Sequence, residues 1–296
     1  ELNKFPVFAA CGDASTSVTI QGMTIKGAFN GTYNVGQGSM AVRDVVFDGV
    51  WGWNALFNSS PGGFAVADCT IINGDANNLI ENDAGPITVE NCTIAHNTHE
   101  IIEPDWGYSY DQPLLIMNSG DMAITNTTML TNSMRLSVTS NFLNAPIVQN
   151  QGRMSMNNVA LANNHVAIDC EGTCDVNDKD QRYRNLAPSI VYNTGLLVVR
   201  NSEFGPNDMP WSKAPDLGLM DQGFDIQNAS GQSLTVSDSE FTQDRAISNS
   251  GAGPVTLSNV TFELGEVGLA NSGGPVVMND RLFGLILQAI KNQSGG

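Results

Sequence analysis

Four stretches of the chain combine carboxylates, cations and aromatic rings. They are residues 98–113, 133–145, 170–188 and 205–223. Aromatic rings stack on the apolar faces of sugars and carboxylates accept hydrogen bonds from sugar hydroxyls, so this mixture favours a polysaccharide-binding groove. The candidate binding residues are Trp106, Tyr108, Tyr110 and Trp211. The alternative, which we favour, is that these stretches fold over the scaffold or contact a neighbouring chain.

A polysaccharide-active enzyme would draw its catalytic groups from the same stretches. Glycoside hydrolysis needs paired carboxylates, and a lyase needs cations that neutralise a uronate. The candidate catalytic residues are Asp111, Arg182, Arg184 and Lys213. Because the chain has 30 acidic side chains, clustered carboxylates are also expected by chance. The sequence shows no recognisable catalytic constellation.

A candidate calcium site lies in the third stretch, because hard cations prefer oxygen ligands. Its ligands would be Asp175, Asn177, Asp178 and Asp180. The segment lacks the glycine and the distal glutamate of an EF-hand loop, so a solvated acidic loop is the favoured alternative. The histidines His96, His99 and His165 predict no zinc site, since their spacing would need a helix where the pattern indicates strand and loop.

The elements that carry these stretches repeat along the chain. A pattern of alternating apolar residues recurs ten times, every 21 to 24 residues except in four longer repeats of 32 to 43. Such alternation predicts short strands with one buried face. Within each pattern a Gly, Asn or Asp recurs, and these residues tolerate left-handed backbone angles, so the same bend is predicted every time.

An asparagine also closes each repeat. The column includes Asn58, Asn82, Asn118, Asn150, Asn193, Asn228, Asn249 and Asn271. In stacked repeats these side chains would lie about 4.8 Å apart and hydrogen-bond in a ladder. This predicts an all-β parallel β-solenoid of about ten coils, each with about three short strands. The insertions of coils 4–7 would project on one side. The alternative is a sandwich or barrel with evenly spaced strands.

One further motif places the repeats among known ones. Phe204-Gly-Pro-Asn207 has the form F-x-x-N, with degenerate copies ending at Asn97, Asn132, Asn164 and Asp244. These repeats resemble the right-handed parallel β-helix (pectin-lyase-like) family, and in particular the repeats of polymorphic outer-membrane-type adhesins. The resemblance spans roughly residues 14–296 and implies right-handed coils. It leaves function open, because this fold hosts lyases, epimerases, adhesins and phage spikes.

The domain organisation follows from the same repeats. Residues 1–13 form a lead-in and residues 14–296 a single β-helix domain. Neither end carries a recognisable cap, and solenoids usually need polar caps for solubility. The expectation is therefore a segment of a longer solenoid, or a subunit that stacks end to end on neighbours.

Composition narrows the partners. With 13 basic and 30 acidic residues the net charge is −17, which disfavours nucleic acid and anionic membranes. No apolar run approaches the length of a transmembrane helix, so no membrane insertion is expected. Other protein chains or a polysaccharide remain as partners, and the acidic, lysine-poor composition favours an extracellular or cell-surface location.

Cysteines and glycosylation sequons bear on the compartment. Cys170 and Cys174 are expected to close a small disulfide loop, typical of an oxidising environment. Cys69 and Cys92 share a column of adjacent coils and are expected to stack as free thiols. Of seven N-x-S/T sequons, six fall in the asparagine columns, where an inward side chain would carry no glycan. Asn30 alone is expected in a loop and is the predicted glycan site.

The leading functional hypothesis is a non-catalytic extracellular β-helix, structural or adhesive, with the 98–223 loops as its contact face. The alternative is a polysaccharide lyase, hydrolase or epimerase with its site in the same loops.

Overall fold

The computed structural model describes residues 5–102, 114–138, 146–170, 189–209, 223–242, 245–263, 265–284 and 286–292. Regular structure among them is entirely strand, in three sheets, here named A, B and C. Successive strands of a sheet come from successive turns of the chain and pair in parallel. The chain is therefore a right-handed parallel β-helix, as predicted.

Sheet A contains Phe8–Ala10, Thr32–Asn34, Trp51–Asn58, Asp75–Asn82, Leu114–Asn118, Pro146–Asn150, Ser189–Asn193, Phe224–Asn228, Arg245–Asn249, Gly265–Asn271 and Ile286–Asn292. Sheet B contains Ser17–Lys26, Ser39–Asp48, Phe64–Ala67, Thr70–Ile72, Pro86–Glu90, Thr93–Ala95, Asp121–Leu130, Arg153–Ala162, Leu196–Arg200, Glu203–Phe204, Leu234–Phe241, Val255–Phe262 and Val276–Phe283. Sheet C contains Thr98–Ile102, Ser133–Val138 and His165–Cys170.

The core is built from stacked identical positions. The apolar columns that the repeat predicted point inward, and residues such as Val42, Val199 and Val236 are fully buried. Phe204, Phe241 and Phe262 form a continuous ring stack, with centroids 4.7 and 5.5 Å apart. In-register pairing places each side chain over its equivalent, so the apolar interior runs along the helix axis.

The asparagine ladder is confirmed. Side-chain Nδ2–Oδ1 hydrogen bonds of 2.7 to 3.1 Å join consecutive asparagines from Asn34 to Asn271. The second N–H commonly reaches a backbone carbonyl, as where Asn150 donates to Leu196 at 2.9 Å. Water is excluded from the buried corner between sheets A and B, and each amide supplies the hydrogen bonds that water would otherwise make there.

Glycines follow the ladder because the backbones of this corner lie against each other. A Cβ atom on Gly152 would lie 2.1 Å from the carbonyl oxygen of Gly120, and one on Gly195 would lie 2.0 Å from that of Gly152. Only a residue without a side chain fits there.

A second ladder follows the F-x-x-N motif at the corner between sheets B and C. Asn97, Asn132, Asn164 and Asn207 are joined by hydrogen bonds of 2.9 to 3.1 Å. The last of them, Asn207, donates to Asp225 at 3.1 Å. The motif therefore supplies buried corner amides.

The predicted bend lies inside the sheet B strands or in the two-residue gap between two of them. Its residues have φ between 48° and 55° at Asp44, Asp68, Asn91, Asn126, Asn158, Asn201, Asp238 and Asn259. Their side chains are exposed, so the expectation that both asparagine columns point inward is wrong for this one. A residue in the left-handed region resets the alternation of the strand, which turns this side chain outward and its successor inward.

Sheet C differs from the expected arrangement. Residues 98–102 and 133–138, which the sequence assigned to loop insertions, form strands. Thr98 donates its backbone N–H to Gly74 at 2.9 Å, so sheet C stacks on the start of the Asp75–Asn82 strand. In that turn of the chain, which is shorter, the single strand Asp75–Asn82 begins beside sheet C and continues into sheet A.

Candidate functional site

The four insertions leave and rejoin the helix at stacked strands. On one side, Ile102 pairs with Ser137 and Val138 pairs with Cys170. On the other side, Ser189 pairs with both Pro146 and Phe224. Three of the insertions therefore join sheet C to sheet A, namely residues 103–113, 139–145 and 171–188. The fourth, residues 210–222, joins sheet A to the segment in which Asp208 forms a parallel bridge with His165 of sheet C. We call this corner the insertion edge.

Most of the predicted functional residues belong to these connecting segments and lie outside the described residues. They are Asp111, Arg182, Arg184, Lys213, Trp106, Tyr108, Tyr110, Trp211, Asp175, Asn177, Asp178, Asp180 and Cys174. Cys170 ends the last strand of sheet C, where its backbone pairs with Val138. Its disulfide with Cys174 stays a prediction, as do the calcium site and the catalytic set.

A polar cluster of Tyr33, Asn54, Asn78 and Glu81 lies beside the insertion edge. Asn54 and Asn78 occupy paired positions, and both donate through Nδ2 to Glu81 Oε2, with 3.0 Å for Asn78. Tyr33 donates its hydroxyl to Asn54 Oδ1 at 3.0 Å. Leu114, the first residue after the first insertion, pairs with Asn78. The residues of this cluster are therefore described residues that lie next to the first insertion.

Burial raises the pKa of both acidic groups in the cluster. Burial raises the pKa of the Glu81 carboxyl, against the amide donors, and the neighbouring Asp83 raises it further. Burial and the charge of Glu81 raise the pKa of Tyr33 to about 12. A carboxyl of this kind can donate a hydrogen bond or a proton to a bound ligand.

Sequence reasoning missed this cluster, although a signal exists. Asn54 and Asn78 each stand four residues before a ladder asparagine, and Glu81 stands directly before Asn82. Asn54 and Asn78 share the parity of the buried ladder asparagines and are themselves buried, whereas Glu81 has the opposite parity and is half-buried, so strict alternation does not bring them together. The aromatic Trp53 beside Asn54 is 59% exposed.

Asp225 is a buried carboxylic acid in an apolar column. The strand register places it between Ile190 and Ala246, and all three are fully or almost fully buried. Burial raises the pKa of Asp225 well above the ordinary value, while the hydrogen bond from Asn207 opposes the shift. Its neutral form therefore fits this interior.

The histidines and the Arg135 side chain form pairs with neighbouring coils. His99 Nδ1 lies 3.1 Å from Asp75, and burial lowers the pKa of His99. Arg135 lies 3.2 Å from Glu100 in an exposed ion pair. Within the described ranges, no three His, Cys, Asp or Glu side chains form a group able to hold a metal.

The thiols and Asn30 complete the predicted residues. Cys69 and Cys92 are buried free thiols in adjacent coils, as expected. The Cys92 Sγ also accepts the Cys69 backbone N–H at 3.4 Å. Asn30 is only 2% exposed, and its Oδ1 accepts the backbone N–H of Trp53 at 3.0 Å. The side chain assigned to a loop thus lies inside the coil, and its burial leaves no room for a glycan.

The chain matches no protein-family model, no curated protein and no solved structure. Across the part of the chain that the structure describes, no helix is long and apolar enough to cross a membrane.

Proposed function

We propose that this chain is an extracellular structural or adhesive β-helix whose contact face is built at the insertion edge. The single observation that supports this is the stacking of the points where the four insertions rejoin sheet A, at Leu114, Pro146, Ser189 and Phe224. Neighbouring strands lie about 4.8 Å apart, so the points at which these segments rejoin the scaffold form one row along the helix axis. The finer family placement, with adhesin-type repeats of the pectin-lyase-like fold, belongs to the same proposal.

Two features of the scaffold suit this role. The ladder from Asn34 to Asn271 holds the ends of the sheet A strands in register with buried hydrogen bonds, and the starts of the same strands form the insertion edge. The insertions themselves carry Trp106, Tyr108 and Trp211, residue types that anchor contacts at interfaces. The partners are other protein chains or a polysaccharide surface.

The test is to replace residues 103–113, 139–145, 171–188 and 210–222 with short Gly-Ser linkers. We expect the β-sheet circular dichroism and cooperative unfolding to persist, because the described strands of sheets A and B pair with each other and enclose the buried core. Retention on immobilised polysaccharides, or on a layer of the protein itself, should fall at least tenfold. Equal retention of the variant, or no retention of the unaltered protein on any surface, would contradict the proposal.

A polysaccharide-active enzyme is the second candidate, and the Glu81 cluster favours it. A carboxyl of raised pKa beside Tyr33 and the insertion edge has the properties of a general acid. Incubation with a polysaccharide panel should then release unsaturated products or new reducing ends. Glu81→Gln should abolish the release, whereas Glu90→Gln on sheet B should not.

A further inference from the structure

We propose that the folded chain accepts N-linked glycans on the outward bend of sheet B, at Asn91, Asn126 and Asn259, and not at Asn30. The inference rests on the proposed extracellular location. It reverses the expectation from sequence, because the structure turns one asparagine column outward and buries the loop candidate.

The seven sequons separate by burial. Asn58 and Asn228 are fully buried in the ladder, and Asn30 is 2% exposed with its Thr32 fully buried. The side chain of Asn292 lies outside the described residues. Of the six sequons whose side chains the structure describes, only those of the three bend asparagines are exposed. This part of the folded chain therefore presents three acceptors.

The bend geometry suits an acceptor. Asn91, Asn126 and Asn259 have φ of 53°, 48° and 50°, so each caps a bend instead of lying flat in the strand. The sequon hydroxyls belong to Thr93, Thr128 and Thr261, which are half-buried on the same outer face of sheet B. Both parts of each sequon thus face solvent together.

The transfer leaves the outer hydrogen bonds intact. The Asn Nδ2 attacks the anomeric carbon of an oligosaccharide on a lipid pyrophosphate, a C–N bond forms, the C–O bond to pyrophosphate breaks, and one proton leaves for the transferase base. One N–H remains. It can still donate as it does now, from Asn91 to Asp68 at 3.2 Å and from Asn259 to Asp238 at 2.9 Å.

The ladder asparagines lack this freedom. Asn58 donates to Asn82 at 2.8 Å and to the Ala84 carbonyl at 2.7 Å, so both N–H directions of its amide are used. A glycan there would remove one donor and would have to fit into a fully buried corner. Chains modified there before folding would not close the helix.

Two of the acceptor asparagines lie too close together for both to carry a glycan. Asn91 and Asn126 occupy adjacent coils, and Asn126 Nδ2 lies 3.2 Å from Asn91 Oδ1. Equivalent residues of neighbouring strands are about 4.8 Å apart, and a branched oligosaccharide is far wider. Each molecule therefore carries one glycan at this pair and one at Asn259. The glycans cover sheet B and leave the insertion edge open.

The experiment is secretion of the whole chain from a eukaryotic host, followed by intact mass and glycopeptide mapping of the folded fraction. Thr93→Ala, Thr128→Ala and Thr261→Ala remove one sequon each without altering the bend asparagine, and Thr93→Ser is the matched control that keeps the sequon. At the six described sequons we expect two glycans per molecule. Thr261→Ala should leave one, and Thr93→Ala should shift occupancy from Asn91 fully to Asn126.

Three results would overturn the inference: a glycan on Asn30, Asn58 or Asn228 in folded protein, glycans on Asn91 and Asn126 of the same molecule, or no glycan on any bend asparagine. The variant without insertions separates this from the proposed function. It should lose surface retention and keep both glycans, so either proposal can fail alone.

Discussion

Asn150 and Asn158 belong to the same turn of the helix and show what one residue type does in two places. Asn150 is fully buried and donates to Asn193 at 2.7 Å and to Leu196 at 2.9 Å. Asn158 is exposed, has φ of 55°, and donates to Asn126 at 2.8 Å. The inner position needs the amide itself, whereas the outer position needs a residue that tolerates a left-handed backbone.

The choice of residues along each column supports this distinction. Aspartate replaces asparagine at Asp44, Asp68 and Asp238 of the outer column, where water solvates the charge. From Asn34 to Asn271 the inner ladder contains asparagine at every joined position. A carboxylate has no N–H, so an inner aspartate would lose both hydrogen bonds that the amide donates, one to the next ladder side chain and one to a backbone carbonyl.

The sharpest test of the comparison is Asn150→Ala. The substitution removes two donors and leaves the Nδ2 of Asn118 without its Oδ1 acceptor in a buried corner. We expect the free energy of unfolding to fall by about 3 to 5 kcal/mol, measured by denaturant unfolding. A loss below about 1 kcal/mol would show that the ladder is dispensable.

Asp225→Asn should move stability in the opposite direction. Because burial raises the pKa of Asp225 in the folded state, folding takes up a proton, and stability falls as pH rises from the ordinary carboxyl range up to the raised pKa. Asparagine removes this dependence and keeps the acceptor for Asn207. We expect a gain of about 1 to 3 kcal/mol at pH 7 that shrinks towards pH 4.

Thermal unfolding across this pH range measures the effect. Asp238→Asn, on the exposed column, is the matched control and should change stability little at any pH. An equal gain in stability for Asp225→Asn and Asp238→Asn would show that the burial of Asp225 is not the cause of the effect.

The smallest effect is expected at the outer column itself. Asn158→Ala loses an exposed hydrogen bond and places a Cβ-bearing residue without a side-chain cap at φ of 55°, so it should cost about 1 kcal/mol. Asn158→Gly should be close to neutral, because glycine accepts that backbone angle. If the glycine variant loses as much free energy of unfolding as the alanine variant in the same denaturation assay, the lost hydrogen bond matters more than the strain of the left-handed backbone angle.

Much of the fold was predictable because its signals are local or periodic. The apolar columns, the bend and the ladder from Asn58 to Asn271 follow from alternation and repeat length. The outward direction of Asn91 and Asn126 was not predictable. Strict alternation of side chains does not take into account that a residue in the left-handed region resets the alternation. The length of the repeat predicts residues 98–102 as part of the 98–113 insertion, whereas in the structure they form a strand that pairs with Ser133–Val138.

The Glu81 cluster shows a different limit. Tyr33 lies 21 residues before Asn54, and Asn54 lies 27 residues before Glu81, so they meet only because neighbouring coils stack. The sequence also offered no reason to single out Asp225, since its environment comes from Ile190 and Ala246 on other strands.

The sequence alone determined the repeat, the inward apolar columns and the amide ladder, since each depends on residue types at a fixed spacing. The tertiary structure decided which asparagines face water, which carboxyl is buried, and that all four insertions share one corner. These depend on which coils lie against each other and in what register, a relation between residues far apart in the chain that local chemistry does not encode.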